Sequence, residues 1–357
     1  MVISRTPYRI SFFGGGTDYP AWYRENGGAV LAMAIDKYCY LTCRYLPPFF
    51  EHRLRLVYSK IESCQRASEV QHPVVRAVLG MLDVQRGLEI HHDGDLPARS
   101  GMGSSSSFTV GFLHAMYGLL GRLASKTQLA SEAIHVEQEL LGETVGAQDQ
   151  ILAAFGGLNF IELKRDDSFR VEPLPVPKER LERLTSSLML FYTGLRRTAS
   201  EVAASYVTDI GARTRQLTRM RQMVDEGTRI LTGTGSLDGF GDLLHEAWSL
   251  KRSLSGVVSN SQVDELYEEA RRGGARGGKL LGAGGGGFML FYVPPECRQQ
   301  VKQRLQSLIW VPFELDSGGS QIIFYAPEKD YAELDQARSH DTTLTFREAF
   351  ADSGKNE

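Results

Sequence analysis

A segment rich in glycine and serine, DLPARSGMGSSSSF at residues 95–108, has the composition in this chain that most directly indicates chemistry. Apolar residues at helical spacing follow it, so its backbone N–H groups should lie at a helix start, where an anion such as a phosphate chain is favoured. A capped turn without a ligand is the alternative interpretation. The segment is neither a Walker A loop, which ends in Gly-Lys-Ser/Thr, nor a GxGxxG fingerprint after a first strand. The residues predicted to contact the anion are Ser100, Gly101, Met102, Gly103, Ser104, Ser105 and Ser106.

Glu137 is the second candidate, because it lies on the apolar face of a predicted helix. Ile134 and Leu141 are three and four positions away, so they share this face with the carboxylate. A buried carboxylate requires a cation or a metal ion. Glu137 is therefore either a metal ligand or the partner of an arginine in the core.

Two further segments are rich in glycine: RISFFGGGTDYP at residues 9–20 and KLLGAGGGGFMLFYV at residues 279–293. A separate segment that is not rich in glycine, VGAQDQ at residues 145–150, contains Asp149. A carboxylate at this position could accept or orient a proton, or it could cap a helix.

The elements that must position these residues follow from the apolar periodicity of the chain. Strands are predicted at residues 29–35, 38–46, 54–58, 158–163, 188–192, 288–293 and 322–325. Helices are predicted at 104–120, at 127–141 and around 263–270. A polar, proline-rich stretch at 164–187 marks a boundary between an N-terminal domain, residues 1–180, and a C-terminal domain, residues 181–357. Alternating helices and strands in the second half indicate an α+β layer.

Composition limits the possible partners. The 357 residues include 40 basic and 43 acidic side chains, a net charge of −3, with no basic block for a nucleic-acid backbone. Neither a signal peptide nor a membrane span of roughly 20 apolar residues is evident. We therefore expect a cytoplasmic enzyme that binds no nucleic acid and no membrane; the sequence leaves its oligomeric state open.

Taken together, the three glycine-rich segments and VGAQDQ resemble the motif pattern of the GHMP kinases, the family of galactokinase, homoserine kinase, mevalonate kinase and phosphomevalonate kinase. The resemblance extends over nearly the whole chain. It implies an α+β fold of two domains, the first like ribosomal protein S5 domain 2 and the second ferredoxin-like. ATP would bind in the cleft between them.

The resemblance also implies residue roles. The loop at residues 100–106 would hold the triphosphate of ATP, and Ser105 with Glu137 would hold Mg²⁺. Asp149 takes the place of the family's catalytic aspartate. Arg9 matches an arginine that offsets the negative charge of the transferring phosphoryl group.

The acceptor site would be formed by the first glycine segment, through Gly15, Gly16, Thr17 and Asp18. Galactokinases carry Glu-His where Gly15 and Gly16 stand, so galactose loses contacts here. The Gly-Gly-Gly-Thr-Asp form resembles instead the bacterial D-glycero-D-manno-heptose 7-phosphate kinases. Further predicted substrate contacts are Asp149, Arg197, Lys279 and Gly285, with Arg197 and Lys279 as candidates for the distal phosphate of the sugar. Either cation could instead be a surface charge.

Two alternatives stay open at this point. One is a kinase of another sugar, with a fucose-like or galactose-like acceptor. The other is a catalytically silent regulator that binds sugar and ATP. The presence of Arg9, Ser105, Glu137 and Asp149 together argues against the silent regulator, because a binding module needs no catalytic base.

Overall fold

A computed structural model describes residues 1–98, 100–195 and 199–327, together with Tyr331 and Glu333. The strands are β1 Val2–Phe13, β2 Gly28–Tyr45, β3 Leu54–Val57, β4 Ile61–Cys64, β5 Leu88–Gly94, β6 Leu158–Leu163, β7 Phe169–Pro173, β8 Leu188–Tyr192, β9 Gly277–Leu280, β10 Phe288–Tyr292, β11 Ile309–Val311 and β12 Gln321–Tyr325. The helices are α1 Pro20–Asn26, α2 Pro73–Met81, α3 Ser104–Leu119, α4 Lys126–His135, α5 Gln148–Phe155, α6 Lys178–Ser187, α7 Ala199–Val207, α8 Thr214–Thr232, α9 Asp238–Arg252, α10 Ser261–Arg272 and α11 Arg298–Arg304.

The long strand β2 organises the first sheet. Its first part pairs with β6, its second part pairs with β5, and β1 runs antiparallel along most of its length. The prediction of two separate strands at 29–35 and 38–46 was wrong. The register of β1 jumps from Tyr38 to Ile35 between Pro7 and Tyr8, so Asp36 and Lys37 form a bulge within one continuous strand.

The first sheet also takes in a strand from the far end of the described chain. Its order is β12-β1-β2-β5-β3-β4, and β6 and β7 branch from β2. Strand β12 pairs antiparallel with the outer edge of β1, although more than 300 residues of sequence lie between them. The domain division at residues 180 and 181 stays a prediction.

The second sheet has the order β11-β8-β10-β9 and is antiparallel. Strands β8 and β10 carry continuous apolar runs that are buried, which is expected of a sheet interior. A separate apolar core forms around this sheet from α9, α10 and the neighbouring segments, with Trp248, Tyr267 and Phe291 among its largest members. Tyr19 and Trp22, from the first part of the chain, join this core.

Two aromatic contacts connect the two sheets. The ring of Phe240, in α9, packs edge-on against the rings of Phe12 and Phe13 at the end of β1, with centroids 5.2 and 5.0 Å apart. Phe240 is fully buried. The end of β1 in the first sheet is therefore held against α9, which also packs closely on β9 of the second sheet at Gly241 and Gly277.

Helices α3 and α4 confirm the predicted helices at 104–120 and 127–141, with one difference. The predicted second helix changes at Val136 to a π-helical turn, Val136–Leu140, and Glu137 lies in this turn. Such single turns widen the helix and redirect side chains. The stretch at 164–187, predicted only as a polar boundary, contains β7 and α6.

Candidate active site

The predicted anion loop is built as the sequence indicates. Gly101 and Gly103 have φ angles of +81° and +74°, which side chains rarely adopt, and α3 begins directly afterwards with no side-chain cap. The hydroxyl of Ser100 is buried and has no hydrogen-bond partner within the described part of the chain. A phosphate chain fits a helix N-terminus where glycines let the backbone come close to the ligand and a serine hydroxyl is available for a hydrogen bond.

The third glycine segment packs directly on this loop. A methyl group on Gly101 would lie 2.6 Å from the carbonyl oxygen of Leu281, and one on Gly287 would overlap the carbonyl of Ser100. The N–H of Phe288 donates to that same carbonyl at 3.2 Å. Glycine is required here because two backbones meet without room for a side chain.

Arg9 and Asp149 meet at the loop. Arg9 Nε and Nη2 each donate to one carboxylate oxygen of Asp149 at 2.6 Å, and Nη1 donates to the carbonyl of Gly101 at 2.7 Å. Arg9 is 4% exposed and Asp149 is 23% exposed, so the pair is shielded on the side of the arginine and open on the side of the carboxylate. A two-point arginine–carboxylate contact fixes both side chains. One arginine therefore orients the candidate catalytic carboxylate and the anion loop together.

Glu137 is completely buried, and its two oxygens accept hydrogen bonds from three neutral groups. Ser106 Oγ and Gln150 Nε2 donate to Oε2 at 2.9 and 2.6 Å, and Thr109 Oγ1 donates to Oε1 at 2.7 Å. Burial raises the pKa of Glu137 to about 7, although these three hydrogen bonds oppose the shift. The alternative pairing with an arginine is not observed among the described residues.

This carboxylate fits a magnesium site made mainly of hydroxyl and phosphate oxygens. No cluster of three or more His, Cys, Asp or Glu side chains that could hold a metal occurs in the described ranges. The serine hydroxyl that donates to Glu137 is that of Ser106, whereas Ser105, predicted as the metal-binding serine, is exposed at the start of α3. An ionised carboxylate in a buried position is costly unless a cation lies beside it.

The loop after β1 holds Asp18 in a buried position. Its Oδ1 accepts a hydrogen bond of 2.8 Å from the N–H of Gly16, and its Oδ2 lies so close to Gly146 that a methyl group there would overlap it. Burial raises the pKa of Asp18, and the charge of Asp149 raises it further. The N–H of Ala147 donates to the backbone carbonyl of Asp18 at 3.0 Å, so the loop after β1 packs on the segment that leads into Asp149.

Thr17 and Gly285 are occupied with structural contacts. Thr17 is fully buried and its hydroxyl donates to the carbonyls of Gly14 and Ala29 at 2.8 and 2.9 Å. The N–H of Gly285 donates to the carbonyl of Val258 at 2.9 Å. These contacts give both residues a part in shaping their loops, and their contact with substrate stays a prediction.

Lys279 was predicted to bind a distal phosphate, but it is 4% exposed. Its Nζ donates to the carbonyl of Phe12 at 2.9 Å. Burial lowers the pKa of Lys279 to about 7; the charge of Arg9 lowers it further, whereas Asp18 raises it. The amine of Lys279 is buried and used by a backbone carbonyl, which does not favour contact with the distal phosphate of a substrate. Arg197, the other predicted cation, lies outside the described residues.

Lys251 is a buried residue that the sequence analysis missed. Its Nζ donates to the carbonyl of Leu280 at 2.9 Å and also to that of Gly282, so it holds the third glycine segment. Burial, with the charges of Lys279 and Arg9, keeps the pKa of Lys251 well below its usual value. Its position could have been found, because Leu244, Ala247 and Trp248 share its helix face.

A glycine-lined loop at a helix start, a two-point arginine–aspartate pair and a buried carboxylate beside hydroxyl groups have the chemistry that phosphoryl transfer requires. Comparison with known proteins gives the family. Residues 68–157 match the model described as "GHMP kinases N terminal domain" and residues 229–308 match the one described as "GHMP kinases C terminal".

Two individual relatives and one solved structure are similar to this chain. D-glycero-alpha-D-manno-heptose 7-phosphate kinase of Campylobacter jejuni is 29% identical over 304 residues, 82% of this chain and 89% of the relative. The bifunctional fucokinase/GDP-fucose pyrophosphorylase of Arabidopsis thaliana is 27% identical over 328 residues, 84% of this chain and 30% of the relative. The solved structure of a D-glycero-D-manno-heptose 1-phosphate kinase from Bacteroides thetaiotaomicron shares the fold, with a TM-score of 0.75 at 24% identity, over 91% of this chain and 100% of that one.

The chain belongs to the GHMP kinase family, as its motifs predicted, and is a sugar kinase that transfers phosphate from ATP to a hydroxyl. The predicted two-domain GHMP fold is confirmed by the same matches and by the shared structure. No helix in the described ranges is both long enough and apolar enough to cross a bilayer.

Proposed function

We propose that the enzyme uses ATP to phosphorylate the anomeric hydroxyl of D-glycero-D-manno-heptose 7-phosphate. The product would be the 1,7-bisphosphate, a precursor of nucleotide-activated heptose for surface polysaccharides. The observation that carries the kinase part is the contact of Arg9 with both Asp149 and the carbonyl of Gly101, because it fixes a carboxylate at the anion loop. The likeness to the Campylobacter jejuni enzyme supports the choice of acceptor.

In this proposal the loop at residues 100–106 binds the phosphates of ATP, and Glu137 with Ser106 or Ser105 holds Mg²⁺. The metal would supply charge stabilisation to the phosphates. Asp149 orients the acceptor hydroxyl and receives its proton, while Arg9 holds Asp149 and offsets negative charge near the loop. Asp18, Gly15 and Gly16 contact the sugar. A cytoplasmic location is part of the same proposal.

The distal phosphate of the acceptor needs a cation that is accessible to it. Lys279 is buried against Phe12, so Arg197 is the remaining candidate from the sequence. If Arg197 binds this phosphate, Arg197→Ala raises KM for heptose 7-phosphate and leaves KM for ATP unchanged. Normal apparent affinity for the heptose phosphate in this variant would remove the assignment.

The decisive experiment measures ATP consumption with Mg²⁺ in the presence of heptose 7-phosphate, mannose 6-phosphate, fucose, mannose and galactose. Asp149→Asn should reduce kcat by about 100-fold to 10,000-fold, as expected when a proton acceptor is removed. Asp166→Asn is the matched control, since Asp166 lies in the exposed turn between β6 and β7, where it accepts hydrogen bonds from the N–H and the hydroxyl of Ser168.

The outcomes distinguish a heptose 7-phosphate kinase from a kinase of another sugar and from a silent regulator. Turnover confined to heptose 7-phosphate, and lost in Asp149→Asn, supports the proposal. Turnover of free fucose or galactose keeps the sugar kinase and rejects the heptose phosphate as acceptor. Absence of turnover with every sugar favours the silent regulator, which the Arabidopsis thaliana and Campylobacter jejuni relatives give no reason to prefer.

A further inference from the structure

Two buried polar side chains beside the candidate active site have unused hydrogen-bonding atoms. Ser11, in β1, is 5% exposed and Gln148, the first residue of α5, is 9% exposed. Neither Ser11 Oγ nor Gln148 Oε1 has a hydrogen-bond partner in the described part of the chain. An unpaired buried polar atom is costly, so it usually has a partner that the protein alone does not provide.

Both side chains border the same gap, above Gly15. A methyl group built on Gly15 would lie 3.6 Å from Ser11 Oγ and 3.6 Å from Gln148 Nε2, and no other non-neighbouring atom of the residues that the structure describes would come within 4 Å of it. Gly15 itself is partly exposed. The backbone at Gly15 therefore borders solvent, and the Ser11 hydroxyl and the Nε2 of Gln148 lie beside it.

The gap lies close to the catalytic pair. Ser11 follows Arg9 by two residues in a regular part of β1, where Arg9 pairs with Ala34 and Ser11 with Ala32. Residues two apart in a strand face the same side, about 7 Å apart. Gln148 directly precedes Asp149 in the first turn of α5.

We infer that Ser11 and Gln148 form a subsite over Gly15 for the acceptor hydroxyl on the carbon next to the one that is phosphorylated. This inference rests on the proposed function. A serine hydroxyl donates or accepts, and an amide does both, so together they can satisfy one alcohol group. The subsite selects a polyhydroxylated acceptor with neighbouring hydroxyls and disfavours an isolated alcohol. Asp18 remains available for other hydroxyls.

The test compares an acceptor with its 2-deoxy analogue, beginning with heptose 7-phosphate and 2-deoxyheptose 7-phosphate. The wild type should favour the full acceptor by about 10-fold or more in kcat/KM, because the analogue leaves the buried groups unpaired. In Ser11→Ala and in Gln148→Leu this preference should fall to within about 3-fold, with KM for ATP unchanged.

Ser4→Ala is the matched control. Ser4 is buried in the same strand, but its hydroxyl donates to the carbonyl of Gly111 at 2.8 Å. Its loss should therefore lower the melting temperature and leave the 2-deoxy preference intact. Ser11→Ala should show the reverse pattern, with an unliganded melting temperature equal to or above that of the wild type.

Gly15→Ala gives a second approach to the same subsite. The φ of Gly15 lies outside the left-handed region, so alanine fits the backbone, and its methyl group would occupy the gap. KM for the acceptor should rise about 10-fold or more, with little change in KM for ATP.

The outcomes distinguish the subsite from the proposed function. If the wild type phosphorylates another sugar, the proposed acceptor is wrong and the comparison is made with that sugar and its 2-deoxy form. An undiminished 2-deoxy preference in both Ser11→Ala and Gln148→Leu overturns the subsite. So does a loss of melting temperature in Ser11→Ala as large as that in Ser4→Ala, and this second readout needs no turnover at all.

Discussion

At the residue scale, the site depends on buried charges with few neutralising partners. Arg9 binds Asp149 at two points, whereas Glu137, Lys251 and Lys279 are buried among neutral donors and acceptors. Buried ionisable groups of this kind have perturbed pKa values and cluster at functional sites. Single substitutions should therefore separate their roles.

The Arg9–Asp149 pair should behave as one unit. Arg9→Lys keeps the charge but loses the two-point contact, and we expect kcat to fall by about 10-fold to 100-fold. In the double variant with Asp149→Asn, the combined loss of activation free energy should be smaller than the sum of the two single losses. Steady-state kcat values for the four proteins test this; additive losses would show that the residues act independently.

Glu137 should give the enzyme a pH-dependent stability. Its pKa of about 7 lies above the ordinary value of 4.5, so the native state binds this proton more tightly than the unfolded chain does. The resulting stabilisation is complete below pH 4.5 and is lost as the pH rises to about 7, a change of up to about 3 kcal/mol. Without Mg²⁺ or nucleotide, Glu137→Gln should therefore gain melting temperature relative to the wild type between pH 5 and pH 7.5.

Glu139→Gln is the control for this measurement, because Glu139 lies in the same turn but is exposed. Its melting temperature should follow that of the wild type. A metal adds a second readout: Mg²⁺ with an ATP analogue should stabilise the wild type more at pH 8 than at pH 6, since it binds the ionised carboxylate. A constant difference between Glu137→Gln and wild type across pH would contradict the assigned titration.

At the scale of elements, the contact between the anion loop and the third glycine segment can be tested separately. Gly287 has a φ of +103° and faces the carbonyl of Ser100, so alanine would bring both backbone strain and a clash. Gly121→Ala is the control: its φ is +69°, but open space surrounds it. The control should lose about 1–2 kcal/mol of stability from strain alone.

Gly287→Ala should lose more stability than Gly121→Ala and should also raise KM for ATP about 10-fold or more, because the displaced carbonyl of Ser100 precedes the loop. Urea unfolding and ATP saturation kinetics measure the two effects. Equal KM values for ATP in Gly287→Ala and wild type would mean that the two loops act independently.

The elements also show how far the sequence could predict the structure. Helix α3, strands β6 and β8 and the burial of Glu137 followed from local periodicity, which the hydrophobic face of a helix or strand determines. The π turn at Val136–Leu140 did not, because it arises from packing and not from a local pattern. Lys251 was missed although its helix face carried the same signal as that of Glu137.

Pairings between distant segments were beyond local reasoning. The strand at residues 322–325 was predicted, but nothing in its sequence showed that it joins β1, since three of its five residues are exposed. The hydrogen bonds of Ser106, Thr109 and Gln150 to Glu137 likewise depend on how α3, α5 and the π turn meet. Only the family resemblance placed these segments in one site before the structure did.

At the scale of the whole molecule, the two sheets should unfold together. Phe240 packs on Phe12 and Phe13, and Tyr19 OH lies 3.4 Å from Tyr206 OH across the two halves. Phe240→Ala should cost about 3–5 kcal/mol, as is usual for a large buried aromatic residue. Phe49→Ala, at a residue that is 66% exposed, is the control and should change stability little.

Calorimetry and tryptophan fluorescence test whether the two sheets unfold in one transition. Trp248 lies in the second core, and so does Trp22, which comes from the first part of the chain, so their signals should change with the overall heat absorption. One coincident transition is expected for the wild type. Two separated transitions in the wild type would show that the halves are independent.

The pairing of β12 with β1 has a consequence for synthesis on the ribosome. Strand β1 is translated first and carries Arg9, yet its outer edge receives its partner only after the segments of the second sheet have emerged. A nascent chain interrupted before β12 would leave the outer edge of β1 unpaired at residues 2–5, and an unpaired strand edge is prone to pair with other chains. Truncated products should therefore be captured by chaperones or degraded, and they should not persist as partly active kinases.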